Sequence, residues 1–272
     1  MPEDIVEQLL GWLPDQRLWP ASPVPWVLGS LALGVGVRLV LWAAIKRSQG
    51  LRSWCGTPGG RALAWLGWVA WLIGPGYAAV LLGVLSPRLM GLTQVDWGAP
   101  FGYGLAFAGL AVAILVAAGV MVRQARDAWP AWPTLSAALA GSVLLAAEAG
   151  ALQWHWAFYR SAAIQGAQEL GASGPLVWGT WIAVGIAMLE GILNPGLWHD
   201  LQAPGPAESR LLRAVLLVAT SVLFLLSRNF WLLWATHALV AVILEPRLAQ
   251  PHRWLAGSKK GPPADKITAR GP

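Results

Sequence analysis

Seven stretches of the chain are each long and apolar enough to cross a lipid bilayer as a helix. A bilayer core requires about 20 mainly apolar residues per helix, and none of these stretches alternates as outer-membrane strands do. Charged residues make up only 12% of the 272 residues, about half the share of a typical soluble domain. The sequence therefore predicts an all-α, polytopic transmembrane helix bundle over residues 21–246. The predicted spans are 24–45, 62–86, 101–122, 134–159, 174–194, 211–227 and 229–245.

Basic residues are distributed unevenly between alternate connections of these spans. Lysines and arginines outside the spans number four on the side of the amino terminus and fourteen on the other side. Membrane proteins retain positive charge on the cytoplasmic side. We therefore expect the amino terminus outside and the carboxyl terminus in the cytoplasm, and the clear alternation supports seven as the number of spans.

Both ends of the chain differ from the predicted membrane domain. Residues 1–20 repeat apolar side chains at helical spacing and contain Trp12 and Trp19, which predicts an amphipathic helix in the outer interface. Their four acidic residues argue against a cleavable signal peptide, which begins with basic residues. Residues 247–272 are basic and polar, which predicts a disordered cytoplasmic tail. Because the basic residues are divided among loops, we expect the lipid bilayer as a partner and no nucleic acid.

A few ionisable residues lie inside the predicted spans, where each costs about 2.5 kcal/mol or more at mid-depth. We expect Arg38, in the first span, to extend toward the cytoplasmic interface. Glu148, His155 and Tyr159 share one face of the fourth span, because seven residues are close to two helical turns. We expect this helix to end at Arg160. Ionisable groups in the second half of the chain predict a polar pocket between the fourth, fifth and seventh spans. They are Glu148, His155, Arg160, Glu190 and His237.

Some membrane-protein chemistries are excluded by missing residues, and one is indicated. A retinal photoreceptor needs a lysine in its last span, but no lysine lies between Lys46 and Lys259. No nucleotide-binding GxxxxGK[ST] motif is present. Histidine and carboxylate side chains suit zinc. If the helices bring His155, Glu190 and His237 to about 2 Å from one ion, they supply the three protein ligands of a catalytic zinc site.

Residues 134–245 resemble the CPBP family of intramembrane proteases, which includes CAAX proteases and bacteriocin-processing enzymes. The likeness rests on EAGALQWHWAFYR (148–160), on Glu190 and on RNFWLLWATHALV (228–240). The family carries EExxxR, FxxxH and HxxxN or HxxxD on the corresponding helices. The resemblance implies an endopeptidase of a bacterial inner membrane. Its substrate would be a membrane-associated peptide or protein that enters from the lipid.

The motif residues are partly substituted. Arg160 and His237 keep the family's residue types. His155 and Trp156 stand where the family has paired glutamates, and Glu190 stands where it has a histidine. The resemblance therefore implies catalysis by a rearranged set of residues, if the chain is active.

Three hypotheses for the function stay open. In the first, Glu190 or His155 activates water for peptide hydrolysis, Arg160 or His237 stabilises the oxyanion, and Glu148 assists. In the second, the chain is an inactive, protease-like scaffold or a subunit of a membrane complex. In the third it is a transporter, because an Asn-Pro-Gly sequence interrupts the end of the fifth span.

Overall fold

The computed structural model describes residues 22–124, 135–202 and 204–244, and every regular element in these ranges is a helix. The amphipathic helix predicted in residues 1–20 and the tail predicted in 247–272 lie outside the described residues. The helices are α1 (Pro23–Arg47), α2 (Gln49–Cys55), α3 (Pro58–Leu81), α4 (Ala99–Gln124), α5 (Leu135–Glu169), α6 (Pro175–Ile192), α7 (Pro195–Asp200), α8 (Pro204–Ser227) and α9 (Phe230–Leu244).

Five helices in the described part of the chain are long and apolar enough to cross a membrane. They are α1, α3, Ala99–Val122 of α4, α6, and Pro206–Ser227 of α8. These helices confirm the prediction of an all-helical membrane protein. The two remaining predicted spans match α5, which has 35 residues and more polar side chains, and α9, which is apolar but has only 15 residues.

Helix α5 is the centre of the molecule. Residues 155–162 are buried on every side of this helix, and α5 packs against α1, α3, α6 and α9. Because its surface faces other helices, it can hold polar side chains such as Gln153 and Ser161, which are fully buried. Polar residues within membrane spans face the interior of the bundle, which is where α5 places these side chains.

The prediction that α5 ends at Arg160 is wrong, since the helix continues to Glu169. Arg160 is only 1% exposed, and its guanidinium carbon lies 4.9 Å from the centre of the Phe224 ring. A charged residue near the end of an apolar run is typical of a membrane interface. This one is buried between helices, so it does not mark the end of the helix.

Close backbone contact joins α5 to α6. Gly179 of α6 lies so near to Ile164 that a Cβ at this position would stand 2.5 Å from the Ile164 Cα and backbone nitrogen. Glycine is therefore required here for the two helices to approach, and the approach brings the last turn of α6 beside α5.

Helix α3 is tied to α5 next to a proline. Pro75 lies inside α3 and has no N–H to donate to the preceding turn. In that turn, the carbonyl of Ile73 accepts a hydrogen bond of 3.1 Å from Trp154 Nε1, and the carbonyl of Leu72 lies 3.3 Å from His155 Nδ1. Two side chains of α5 thus bond to the backbone of α3 at this level.

The α8–α9 turn and the loop after α3 meet at one end of the bundle. The two helices are separated by Arg228, in a left-handed conformation with φ of 46°, and by Asn229, whose Oδ1 accepts from the Trp231 N–H at 3.0 Å. The Phe230 N–H donates to the Gly91 carbonyl at 3.0 Å. This hydrogen bond joins the α8–α9 turn to the α3–α4 loop.

Candidate functional site

The Glu190 carboxylate, in the last turn of α6, accepts hydrogen bonds from side chains of two other helices. Its Oε2 accepts from His155 Nε2 at 2.8 Å and from the Tyr159 hydroxyl at 2.9 Å, both on α5. Its Oε1 accepts from Arg38 Nη1 of α1 at 2.9 Å. The Glu190 side chain is 11% exposed. These four residues, Glu190, His155, Tyr159 and Arg38, are the Glu190 cluster.

The Arg38 side chain turns into the bundle, and its extension toward the cytoplasmic interface stays a prediction. The guanidinium carbon lies 4.1 Å from the centre of the Trp71 ring, in addition to the ion pair with Glu190. A Cβ on Gly34 would stand 2.5 Å from the same indole, so this glycine lets Trp71 lie against α1. A carboxylate and an aromatic face offer the guanidinium partners that lipid does not.

His155 lies between acceptors on both sides of its ring. Nδ1 faces the Leu72 carbonyl and Nε2 faces the Glu190 carboxylate. Each ring nitrogen is thus within hydrogen-bond distance of an oxygen atom, at 3.3 Å for Nδ1 and 2.8 Å for Nε2. The ring also contacts Trp71, with centroids 4.4 Å apart, and Tyr159, with centroids 4.5 Å apart.

A cavity of about 1540 Å³ lies beside this cluster, and Arg38, His155 and Glu190 form part of its wall. The lining residues come from α1, α2, α3 and α5–α8, whereas α4 and α9 contribute none. Most of the wall is apolar, and many of its large side chains are indoles. The lining tryptophans are Trp26, Trp42, Trp54, Trp65, Trp68, Trp71 and Trp156.

Two further ion pairs lie in the cavity wall near the start of α8. Glu148 of α5 accepts from Arg213 Nη2, and Asp200 of α7 accepts from Arg210 Nε and Nη2 at 2.9 and 2.7 Å. Glu148 and His155 therefore line the same cavity, as their shared helix face predicted, but each contacts a different helix.

The structure does not bring His237 into the Glu190 cluster. The Gln153 amide donates to His237 Nδ1 at 3.1 Å, and the His237 ring stacks on Trp156 with centroids 5.3 Å apart and planes 11° apart. Trp156 lines the cavity, while His237 does not. Of the three predicted zinc ligands, His155 and Glu190 thus lie together. His237 contacts Gln153 and Trp156 instead.

Arg160 is also separate from the cavity. Its guanidinium lies over the Phe224 ring. Within the described residues, none of its three side-chain nitrogens has a hydrogen-bond partner. Arg160 is therefore a buried charge without a carboxylate, and it does not face the Glu190 cluster.

The described residues contain no group of three or more histidine, cysteine, aspartate or glutamate side chains arranged to hold a metal ion. His155 Nε2 and Glu190 Oε2 are hydrogen-bonded to each other. The arrangement thus provides a dyad in a cavity wall, and zinc binding stays a prediction.

Sequence patterns did not identify Arg38 and Trp71 as site residues. The available signal was the charge of Arg38, since an arginine in one apolar span and a glutamate in another are natural partners. No signal pointed to Trp71, because its role depends on how closely α1 and α3 approach.

Comparison of this chain with protein families, with curated proteins and with solved structures gives no match. The resemblance to CPBP proteases therefore stays a prediction.

Proposed function

We propose that the chain crosses the membrane seven times, with its amino terminus outside and its carboxyl terminus in the cytoplasm. The 35 residues of α5 extend about 52 Å, more than a bilayer core of about 30 Å. Helix α9, with 15 residues, follows directly on the turn that contacts Gly91. That contact supports the count, because seven spans place the α3–α4 loop and the α8–α9 turn on the same side.

The function that we propose is the binding of an amphipathic molecule taken up from the bilayer. The cavity is the observation that supports it. Its volume of about 1540 Å³ exceeds the roughly 300–1,000 Å³ of small-molecule sites. Its wall combines indole and aliphatic side chains with fixed ion pairs. A scaffold that works only by helix packing has no need of such a cavity.

The Glu190 cluster gives the cavity its shape. Its hydrogen bonds tie α1 to α6 and α6 to α5, and Arg38, His155 and Glu190 line the cavity. In this arrangement Glu190 Oε1 and Oε2 accept three hydrogen bonds, and each His155 ring nitrogen faces an oxygen atom. A water molecule that either side chain is to activate must compete with these partners. The geometry therefore supports binding better than hydrolysis.

The binding function is tested by filling the cavity. Gly67 lines it, and a Cβ at this position meets no atom within 4 Å, so Gly67→Leu reduces the volume without a backbone clash. Gly109 of α4 also meets no atom within 4 Å but lies outside the cavity, so Gly109→Leu is the matched control. We expect native mass spectrometry from mild detergent to show lipid-sized adducts on wild type and on Gly109→Leu, and fewer on Gly67→Leu. Equal adducts on all three proteins would contradict the proposal.

Peptide hydrolysis is the second candidate, favoured by the contact between His155 and Glu190 in the wall of a membrane-embedded cavity. It requires that Arg38 or Tyr159 release the carboxylate when substrate enters. Cleavage of a fluorescent transmembrane peptide by wild type and not by Glu190→Gln would support it. Zinc analysis of wild type, His155→Ala and His237→Ala belongs to the same experiment. One equivalent lost only from His155→Ala would assign the metal to the dyad, and loss from both variants would restore the predicted three-ligand set.

A further inference from the structure

Two basic side chains stand at the end of the cavity where α1 ends and α2 begins. Lys46 and Arg52 both line it. Lys46 Nζ lies 3.8 Å from the centre of the Trp42 ring. Arg52 Nη2 donates to the carbonyls of Ile45 and Lys46 at 3.2 and 2.9 Å, so the two cations share one corner. We call this corner the basic mouth.

No carboxylate in the described part of the chain balances the charge at the basic mouth. The carboxylates that line the cavity are those of Glu148, Glu190 and Asp200. Each of them already pairs with an arginine of its own, namely Arg213, Arg38 and Arg210. Among the described residues, Lys46 and Arg52 form no ion pair. Their charge is thus complementary to an anion supplied by a ligand.

An apolar path leads from the basic mouth into the cavity. Leu33, Val37 and Leu41 lie one turn apart on α1, line the cavity and are 60%, 46% and 44% exposed. Their exposed surface faces open volume instead of another helix. A molecule with an anionic head at Lys46 and an acyl chain along this path would cover both features at once.

We propose that the ligand of the cavity is an acidic phospholipid, with its phosphate at Lys46 and Arg52 and an acyl chain along α1. The proposal rests on the binding function proposed above and on the orientation that places the basic mouth at the cytoplasmic leaflet, where anionic lipids attract basic residues. Trp42 lies beside Lys46 at the level where tryptophan meets lipid headgroups.

The experiment compares lipids that differ only in headgroup charge. Delipidated protein in detergent is titrated with phosphatidylglycerol and with phosphatidylcholine of the same acyl chains, and binding is measured by native mass spectrometry. We expect wild type to prefer phosphatidylglycerol about tenfold or more, since each cation adds to the attraction. The double variant Lys46→Gln/Arg52→Gln is expected to lose this preference.

The matched control is Arg47→Gln/Arg61→Gln, which removes the same charge from exposed residues nearby that do not line the cavity. It should keep the preference. Equal binding of both lipids to wild type, or equal loss in both double variants, would overturn the acidic-lipid proposal while leaving the binding function intact. Failure of both lipids to bind, or undiminished binding by Gly67→Leu, would overturn the binding function itself.

Discussion

At the residue scale, the charged side chains of the Glu190 cluster form hydrogen bonds to one another in place of hydrogen bonds to water. Glu190 lies between the Arg38 guanidinium and the His155 ring, 2.9 Å from Arg38 Nη1 and 2.8 Å from His155 Nε2. Removing one member of a buried ion pair leaves the other charge uncompensated, which costs more than the pair contributes when intact. The cluster is therefore sensitive to single substitutions.

Glu190→Gln should lower the free energy of unfolding by about 3 kcal/mol, because it leaves the Arg38 guanidinium without its anion. Thermal unfolding in detergent measures the effect as a lower midpoint. The double variant Arg38→Met/Glu190→Gln should recover part of the loss, since it also removes a stranded cation. A single variant as stable as wild type would show that the contacts contribute nothing.

Arg160 presents the opposite case, a buried cation whose side-chain nitrogens have no hydrogen-bond partner among the described residues. An unsatisfied buried donor costs about 1–3 kcal/mol, and more when it is charged. Arg160→Met should therefore raise the thermal midpoint, whereas Arg160→Lys, which keeps the charge, should not. A lower midpoint for the methionine variant would show that the guanidinium is satisfied in the protein.

The sequence predicted which residues of the site are ionisable and on which faces they lie, but not all of their contacts. Helical spacing placed Glu148 and His155 on one face, and both line the cavity. The spacing could not show that Trp156 lies between the cavity and His237. That separation depends on how α9 is rotated against α5, which the periodicity of a single helix does not determine.

At the element scale, the local backbone conformation determines where a helix ends more than the length of the apolar run does. The second span was predicted to continue to residue 86, but α3 ends at Leu81. The chain then turns at Gly83, whose φ of 70° suits glycine. Apolar side chains after Leu81, such as Leu85, are buried in the bundle, which explains why hydropathy extended the predicted span.

Packing of α6 on α5 can be tested at Gly179. Gly179→Ala places a Cβ 2.5 Å from the backbone of Ile164, and overpacking of this kind costs about 1–3 kcal/mol. Gly185 lies on the same helix, and a Cβ there meets no atom within 4 Å. Gly185→Ala should therefore leave the unfolding midpoint unchanged or raise it. Equal effects of the two substitutions would contradict this packing.

At the scale of the whole molecule, the number of spans determines which connections share a side of the membrane. The five helices identified by length and apolarity do not by themselves determine the number of spans. The remaining two, α5 and α9, were predicted from the sequence by apolar runs, and α5 is more polar because protein surrounds it.

The topology is tested by cysteine labelling, since Cys55 is the single cysteine of the chain. In a Cys55→Ser background, an impermeant maleimide should label Thr93→Cys and Ser173→Cys in intact cells. Gln49→Cys and Gln202→Cys should react only after permeabilisation. The reverse pattern would invert the orientation, and labelling of Ser173→Cys on the same side as Gln202→Cys would remove a span from the count.

The most direct test of the central claim is an experimental structure of the protein in a lipid nanodisc containing phosphatidylglycerol. We expect elongated density in the cavity along α1, between Trp71 and the basic mouth at Lys46 and Arg52, with the Glu190 cluster intact beside it. A cavity that is closed by side chains, with no lipid density along α1, would contradict the proposed binding function.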